Sequence, residues 1–287
     1  MKAFLIALQF LTRLKVANQT EWTVKDFGKS VQTFPLVGMV IGLFMVIVYL
    51  ILKSFFTPQV LMLVMVAFEF IFTGGLHADG VRDTCDGLFS GRDRERKLEI
   101  MKDSRIGSNG VVGFVFLVLL KWQLLVQVNV MPLIIPILFF MPTVTRYTMV
   151  MSIKSYPYAR KEGMGKAFAE ESPSSSLRTA TLWLLLPVVV GLIFGCTSWI
   201  TSSMGLFGAG NFMASMMTMM IIASLLAALL LYVIMLLLAW GINTILNRYI
   251  TKHLGGTTGD TYGFVTESSE VILLFLLAIL HSAFALG

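Results

Sequence analysis

Residues 34–56 read FPLVGMVIGLFMVIVYLILKSFF, and the one charge in the stretch is Lys53. A run of this length exceeds the roughly ten residues of a barrel strand and matches the roughly 20 of a helix that crosses a bilayer. In hydrocarbon each backbone N–H and C=O must be satisfied inside the segment, so a helix is the expected form. Working outward, six further apolar runs are long enough to span, at about 58–76, 110–128, 131–152, 180–200, 213–240 and 269–286. Composition agrees: 56% of the 287 residues are hydrophobic, 13% are charged and the mean hydropathy is +0.82. A soluble domain carries about 25% charged residues. The expectation is an all-α, polytopic transmembrane helical bundle of about seven spans, forming a single integral-membrane domain over 1–287. The weakest run is 180–200, softened by Gly191, Gly195 and Ser198.

The segment Met1 to Leu14 has an apolar stretch too short to span and no small-residue cleavage site. It reads as an interfacial or re-entrant amphipathic helix with Phe4, Leu5, Leu8 and Leu11 inward, not as a cleaved signal. Cys85 and Cys196 lack metal-type spacing and fall on different sides of the predicted membrane, so no disulfide is expected.

The linkers alternate in character. Residues 1–33, 77–109, 153–179 and 241–268 are long and polar, whereas those near 57, 129–130 and 201–212 are short or built of Gly, Ser and small apolar residues. Of the 22 Lys and Arg, Lys53 lies at the opposite end of a span and Lys121 and Arg146 lie inside spans, which leaves 19 on one side. That side is cytoplasmic by the positive-inside rule, and the protein is expected in the cell (inner) membrane. The formal charge of +6 is then a topology signal, and nucleic acid is not an expected partner. Every Asp and Glu is assigned to the same side except Glu69. No internal repeat supports an inverted-repeat transporter.

The densest polar segment reads GGLHADGVRDTCDG over residues 74–87. On a helix, Asp79, Asp83 and Asp86 fall within about 60° of one another. Like charges so placed repel, and either a hard cation such as Mg²⁺ offsets them or Arg82 and Arg92 do. Glu69, inside a span, either extends this acidic site inward or pairs with Arg146. Residues 102–110, KDSRIGSNG, place glycines, a hydroxyl and Arg105 at the start of the next span, a suitable anion site. Residues 156–166, YPYARKEGMGK, could stack a base on tyrosine and hold phosphate with Arg160 and Lys166, although an interfacial Tyr belt has the same composition. In GGTTGDTYG, residues 255–263, the Gly/Thr run can present N–H groups to phosphate and Asp260 offers a further cation ligand. Glu267 and Glu270 read as acidic residues at the N-terminus of the last span. His77, beside the acidic cluster, is a candidate acid/base.

These blocks resemble the cobalamin synthase family, in full adenosylcobinamide-GDP ribazoletransferase. The resemblance rests on residues 74–80 (GGLHADG) with Asp83, Asp86-Gly87 and residues 101–107 (MKDSRIG). It continues in residues 10–14 (FLTRL), 34–38 (FPLVG), 157–160 (PYAR), 162–165 (EGMG) and 256–263 (GTTGDTYG), in family order over nearly the whole chain. Lys15-Val16-Ala17 stands where the family has a Pro-containing stretch, and Cys85 occupies a variable position.

The resemblance implies a Mg²⁺-dependent transferase of late cobalamin biosynthesis. It joins adenosylcobinamide-GDP to α-ribazole or its 5′-phosphate with release of GMP. Its partners are then the corrinoid nucleotide, α-ribazole and the lipid bilayer, with other corrinoid-assembly enzymes as candidates. Asp83, Asp86 and His77 are the expected catalytic groups, and Asp79, Asp83, Asp86, Asp103 and Glu69 the expected metal ligands. Arg92, Lys102, Arg105, Arg146, Arg160, Lys166, Thr258 and Asp260 are expected to bind substrate and phosphate, so that the segments 77–109, 153–179 and 241–268 form one composite site. Two alternatives stand beside this. A CDP-alcohol phosphotransferase shares the Asp83-x-x-Asp86-Gly87 opening, but Gly91 stands where that family has Arg. An ion-coupled transporter built on Glu69 and Arg146 requires carboxylates clustered at mid-membrane.

Overall fold

The structure is a computed structural model that describes residues 1–16, 22–131, 133–203 and 212–285. Helix α1 is Lys2–Leu11, and α2, Val24–Ser30, runs through a 3-10 turn at Val31–Thr33 into α3, Phe34–Leu52. Then follow α4 (Pro58–Thr73), α5 (Leu76–Leu88), α6 (Arg94–Ile100), α7 (Ser108–Val128) and α8 (Ile134–Ser155). The chain ends with α9 (Met164–Glu171), α10 (Ser176–Trp183), α11 (Leu185–Ser203), α12 (Phe212–Leu254) and α13 (Gly259–Ala285). Among the described residues there is no strand, only an isolated bridge between Tyr158 and Thr257.

Among the described residues, six helical stretches are long and apolar enough to cross a membrane: Val24–Leu52, Ser108–Val128, Ile134–Ser155, Ser176–Ile193, Thr218–Leu254 and Gly259–Ser282. The pair α4 and α5 makes up to a seventh, bent by 93° at its break. The all-α bundle is therefore as expected, and the softened run near 180–200 lies in a helix of spanning length. Residues 204–211 of the linker expected at 201–212 lie outside the described residues, as does the end of the last run at 286.

Three boundaries differ from the hydropathy reading, each for a physical reason. The run 58–76 stops at Thr73 because Gly74 and Gly75 take φ of +70° and +72°, a region glycine adopts without strain. The chain turns there, and α5 leaves the spanning direction. The segment 77–109 contains nearly all of α5 and the whole of α6, and the segment 153–179 contains α9 and the first half of α10. The long loop expected at 241–268 is absent: α12 continues to Leu254, α13 starts at Gly259, and Gly255–Thr258 is the whole connection. Hydropathy reports contact with lipid, whereas these polar turns remain helical because protein covers them, Asn243, Asn247, Thr266 and Glu267 being buried. At 43 residues, α12 is about 64 Å long, twice the roughly 30 Å of hydrocarbon.

The packing has a centre and a margin. The central helix is α8, buried over most of its length and packed extensively on α3, while most of Ser176–Ile193 and of Thr218–Leu254 is left uncovered by the rest of the bundle. Helix α1 buries Ile6, Ala7, Leu8 and Leu11 against this bundle, so Leu8 and Leu11 face inward as expected while Phe4 and Leu5 are half-buried. A second, small core of Leu88, Met101, Ile250, Leu254 and Val265 ties α5, α6 and the overhanging end of α12 to the start of α13. This platform carries the polar residues.

Candidate active site

Helix α5 packs against the beginnings of both α7 and α13. Gly80 faces the backbone of Asp260, and Gly263 faces the backbone of His77, where a Cβ would stand 2.9 Å from the His77 Cα. The two helices therefore meet backbone to backbone, which brings Asp79 and Asp83 of α5 beside Asp260 of α13. Arg82 Nη2 pairs with Asp79 and, at 3.2 Å, with Asp83. Arg160 Nη2 pairs with Asp260 at 2.7 Å. Burial, and then the negative charges of Asp79 and Asp260, push the Asp83 carboxyl up to about 6, even with Arg82 alongside.

Asp260 is held by a stiff turn. The Thr258 hydroxyl accepts from the Thr261 N–H while the Thr261 hydroxyl accepts from the Thr258 N–H, capping α13. The turn is paired to the preceding loop: the Ala159 N–H donates to Thr257 O and the Thr257 N–H to Pro157 O, both at 2.8 Å. Arg94 closes the frame from α6, donating from Nε to Leu254 O at 2.8 Å and from Nη2 to Ala159 O at 3.4 Å. Tyr158 lies against Gly163 and Gly165, so this tyrosine serves the loop's own structure.

Asp86 departs most from the sequence expectation. It is buried, and its two carboxylate oxygens accept from the Gly107 and Gly110 N–H groups, each at 2.8 Å. The start of α7 does hold an anion, as its glycines suggested, but the anion is the protein's own carboxylate meeting unpaired helix N–H groups. The repulsion expected among the three aspartates is thus met within the chain, Asp86 by this cap and Asp79 and Asp83 by Arg82, which offsets it only in part at Asp83. Asp103 is taken up by Arg105, with Nη2 at 2.7 Å, and that guanidinium holds its carboxyl down to about 2. Lys166 Nζ donates to Lys161 O, and Thr258 is a buried cap rather than an open donor. Arg92 is exposed, and Lys102 lines a cleft with Arg160.

Beneath α5 lies a buried ion network that the sequence reading had only in part. Lys121 Nζ sits 2.9 Å from Glu69, 3.0 Å from Glu267 and 2.5 Å from Glu270. Arg146 pairs with Glu270 at 2.7 Å and Glu69 at 3.4 Å, and Thr145 donates to Glu270 at 2.8 Å. Glu69 and Arg146, expected as metal and phosphate ligands, spend their charges on each other and these neighbours. Glu267 and Glu270, expected at the start of a span, lie two to three turns inside α13, because the helix begins ten residues earlier than its apolar run. Three carboxyls therefore cluster within the bundle where one was expected, which is the pattern assigned above to a transporter, yet both cations hold them. His77 lies at the edge of this network, 1% exposed, and its Nε2 has no hydrogen-bond partner.

The profile of one protein family, described as cobalamin-5-phosphate synthase, matches residues 3–278. The chain belongs to the cobalamin-5-phosphate synthase family. It is 34% identical over 293 residues to the adenosylcobinamide-GDP ribazoletransferase of Fusobacterium nucleatum, covering 99% of both chains. Proteins of the same name from Desulfitobacterium hafniense and Caldanaerobacter subterraneus are 35% and 34% identical, over 96% and 98% of this chain. No solved structure matches the chain.

At the membrane face the structure brings Asp79, Asp83 and Asp260 together with Arg82 and Arg160. Among the described residues no three His, Cys, Asp or Glu side chains converge into a ready-made metal site. The three carboxylates nonetheless form an all-oxygen donor set, brought together from two helices and one negative charge in excess of the two arginines. Such a set suits a hard cation that completes its coordination with substrate oxygens.

Proposed function

We propose that the chain, a transferase of this family, joins adenosylcobinamide-GDP to α-ribazole or its 5′-phosphate at the Asp79–Asp83–Asp260 site. The observation that carries the reading is the docking of α5 on α13, which sets Asp79 and Asp83, paired with Arg82, beside Asp260, paired with Arg160. Mg²⁺ would be held by Asp79 and Asp260, and when bound it would neutralise charge on the pyrophosphate and the departing GMP. Arg82 and Arg160 turn from their carboxylates to the phosphate oxygens as substrate enters, fixing the phosphorus for in-line attack. Asp83, with its proton affinity near neutrality, accepts the proton of the ribazole hydroxyl. The hydroxyl oxygen bonds to the cobinamide-side phosphorus, the bridging P–O bond breaks, and its electron pair leaves with GMP. His77 stays beneath α5 and supports the helix. The platform faces the cytoplasm of the cell membrane, since 19 of the basic residues were assigned to that side.

The test supplies membranes containing the protein with adenosylcobinamide-GDP, Mg²⁺ and each acceptor in turn. Chromatography is expected to show the joined corrinoid and GMP in equal amounts. No product with either acceptor overturns the reading.

A further inference from the structure

A cleft of about 530 Å³ lies between α6 and residues 159–162. It opens on the reacting centre, because Arg160 both lines it and pairs with Asp260 at 2.7 Å. Its walls are set by Arg94, which ties α6 to the end of α12 and to the 159 carbonyl. Half-buried Leu98 offers an apolar surface, and Lys102, Lys161 and Glu162 are exposed around it. Among the described residues these three charges have no ion-pair partner, whereas the neighbouring Glu95 and Glu99 are taken by Arg94 and Arg96.

We propose that this cleft binds the guanosine 5′-phosphate half of the donor, with the phosphate on Arg160, Lys161 and Lys102 and the guanine edge on Glu162. The inference rests on the reaction assigned above and adds which substrate half goes where. Size is the first argument: the cleft falls within the roughly 300–1,000 Å³ of small-molecule sites, and a corrin macrocycle with its side chains is several times larger than a nucleotide. Charge is the second. A site for pyrophosphate alone gains nothing from a free carboxylate. Guanine, however, presents N1–H and the exocyclic N2–H₂ side by side, and one carboxylate accepts from both. Adenine sets a ring acceptor beside its amine, and the acceptor's benzimidazole has no donor on its ring edge, so neither rewards Glu162. Basic side chains around one carboxylate, over an apolar floor, match a guanine nucleotide.

The experiment is equilibrium dialysis of radiolabelled GMP against the purified full-length protein in detergent, with AMP and α-ribazole as competitors. GMP is expected to bind at least tenfold more tightly than AMP. Glu162→Ala is expected to lower that preference by roughly tenfold to a hundredfold, as for loss of a bidentate base contact, with AMP binding unchanged. The Lys102→Ala/Lys161→Ala variant is expected to weaken GMP and AMP alike, by tenfold or more. All three side chains are exposed, and unchanged melting curves establish that the variants fold. A GMP/AMP ratio within twofold of the parent in Glu162→Ala overturns the proposal, as does GMP affinity within twofold in the lysine variant or displacement of GMP by α-ribazole alone. Turnover of adenosylcobinamide-GDP separates the two levels. Turnover without this GMP pattern overturns the cleft and leaves the reaction standing. The GMP pattern without turnover leaves a guanine-nucleotide cleft and overturns the reaction.

Discussion

Replacing Lys121 with Met asks how the bundle tolerates three carboxyls at its centre. The five charged side chains of the network are each 5% exposed or less, so water does not screen them. Among the described residues Lys121 is the one cation that forms an ion pair with Glu267, while Glu69 and Glu270 also have Arg146. Met preserves the bulk of the lysine stem and removes the ammonium, leaving three carboxyls against one guanidinium. Breaking a buried ion pair from one side costs about 3–5 kcal/mol. At about 2 °C per kcal/mol for a chain of this size, the midpoint falls by roughly 6–10 °C. Glu267→Gln should cost far less, about 1 kcal/mol, because it leaves two carboxyls facing two cations and keeps an oxygen toward Lys121. The assay is a heating ramp in detergent followed by size-exclusion chromatography, at one fixed scan rate since membrane-protein unfolding is commonly irreversible. Combining Lys121→Met with Glu267→Gln should recover part of the loss, the signature of direct coupling. The reasoning is refuted if Lys121→Met melts within 2 °C of the parent, or if Glu267→Gln is the more damaging change.

Four further outcomes follow from the site and its placement. Asp86→Ala should lower the melting point by the equivalent of about 1–2 kcal/mol, since it uncaps α7, whereas Asp83→Asn should fold normally and lose turnover at least a hundredfold. Melting curves beside initial rates distinguish them, and near-normal turnover in Asp83→Asn removes its catalytic assignment. With the Asp83 carboxyl raised to about 6, its base form is lost as the pH falls through that value, so turnover should drop below pH 6. Its contribution to stability has the opposite sign: between about pH 4 and 6 the folded state binds more protons than the unfolded one, so stability falls as pH rises there. Gly263→Val should push α5 off α13, because even a Cβ at 263 stands 2.9 Å from the His77 backbone, and turnover should fall more steeply than the amount of folded protein. Single cysteines at Lys102, Lys161 and Glu170 should react with impermeant maleimide from one side of sealed vesicles and one at Lys53 from the other; a mixed pattern among the first three breaks the composite site.

What the sequence determined by itself were the properties that each residue carries alone or with near neighbours. Length and apolarity of the runs settle that helices cross a bilayer, because unpaired backbone groups are costly in hydrocarbon wherever the segment sits. Local blocks such as residues 74–87 and 256–263 carried the family, and Asp79, Asp83, Asp260 and Arg160 were already among the candidates. Which charge meets which was settled by packing. Asp86 reads like its two neighbouring aspartates until α7 brings two glycine N–H groups to it from 21 and 24 residues away. Glu267 reads like an ordinary acidic residue near a helix start until α7 sets Lys121 against it across 146 residues. Hydropathy placed the last loop where lipid contact ends, but protein contact kept the chain helical on both sides of Gly255–Thr258. The close approach at Gly80 and Gly263 turned three separate acidic positions into one site. Electrostatic pairing acts over a few ångströms of space, and at these separations along the chain only packing sets that distance.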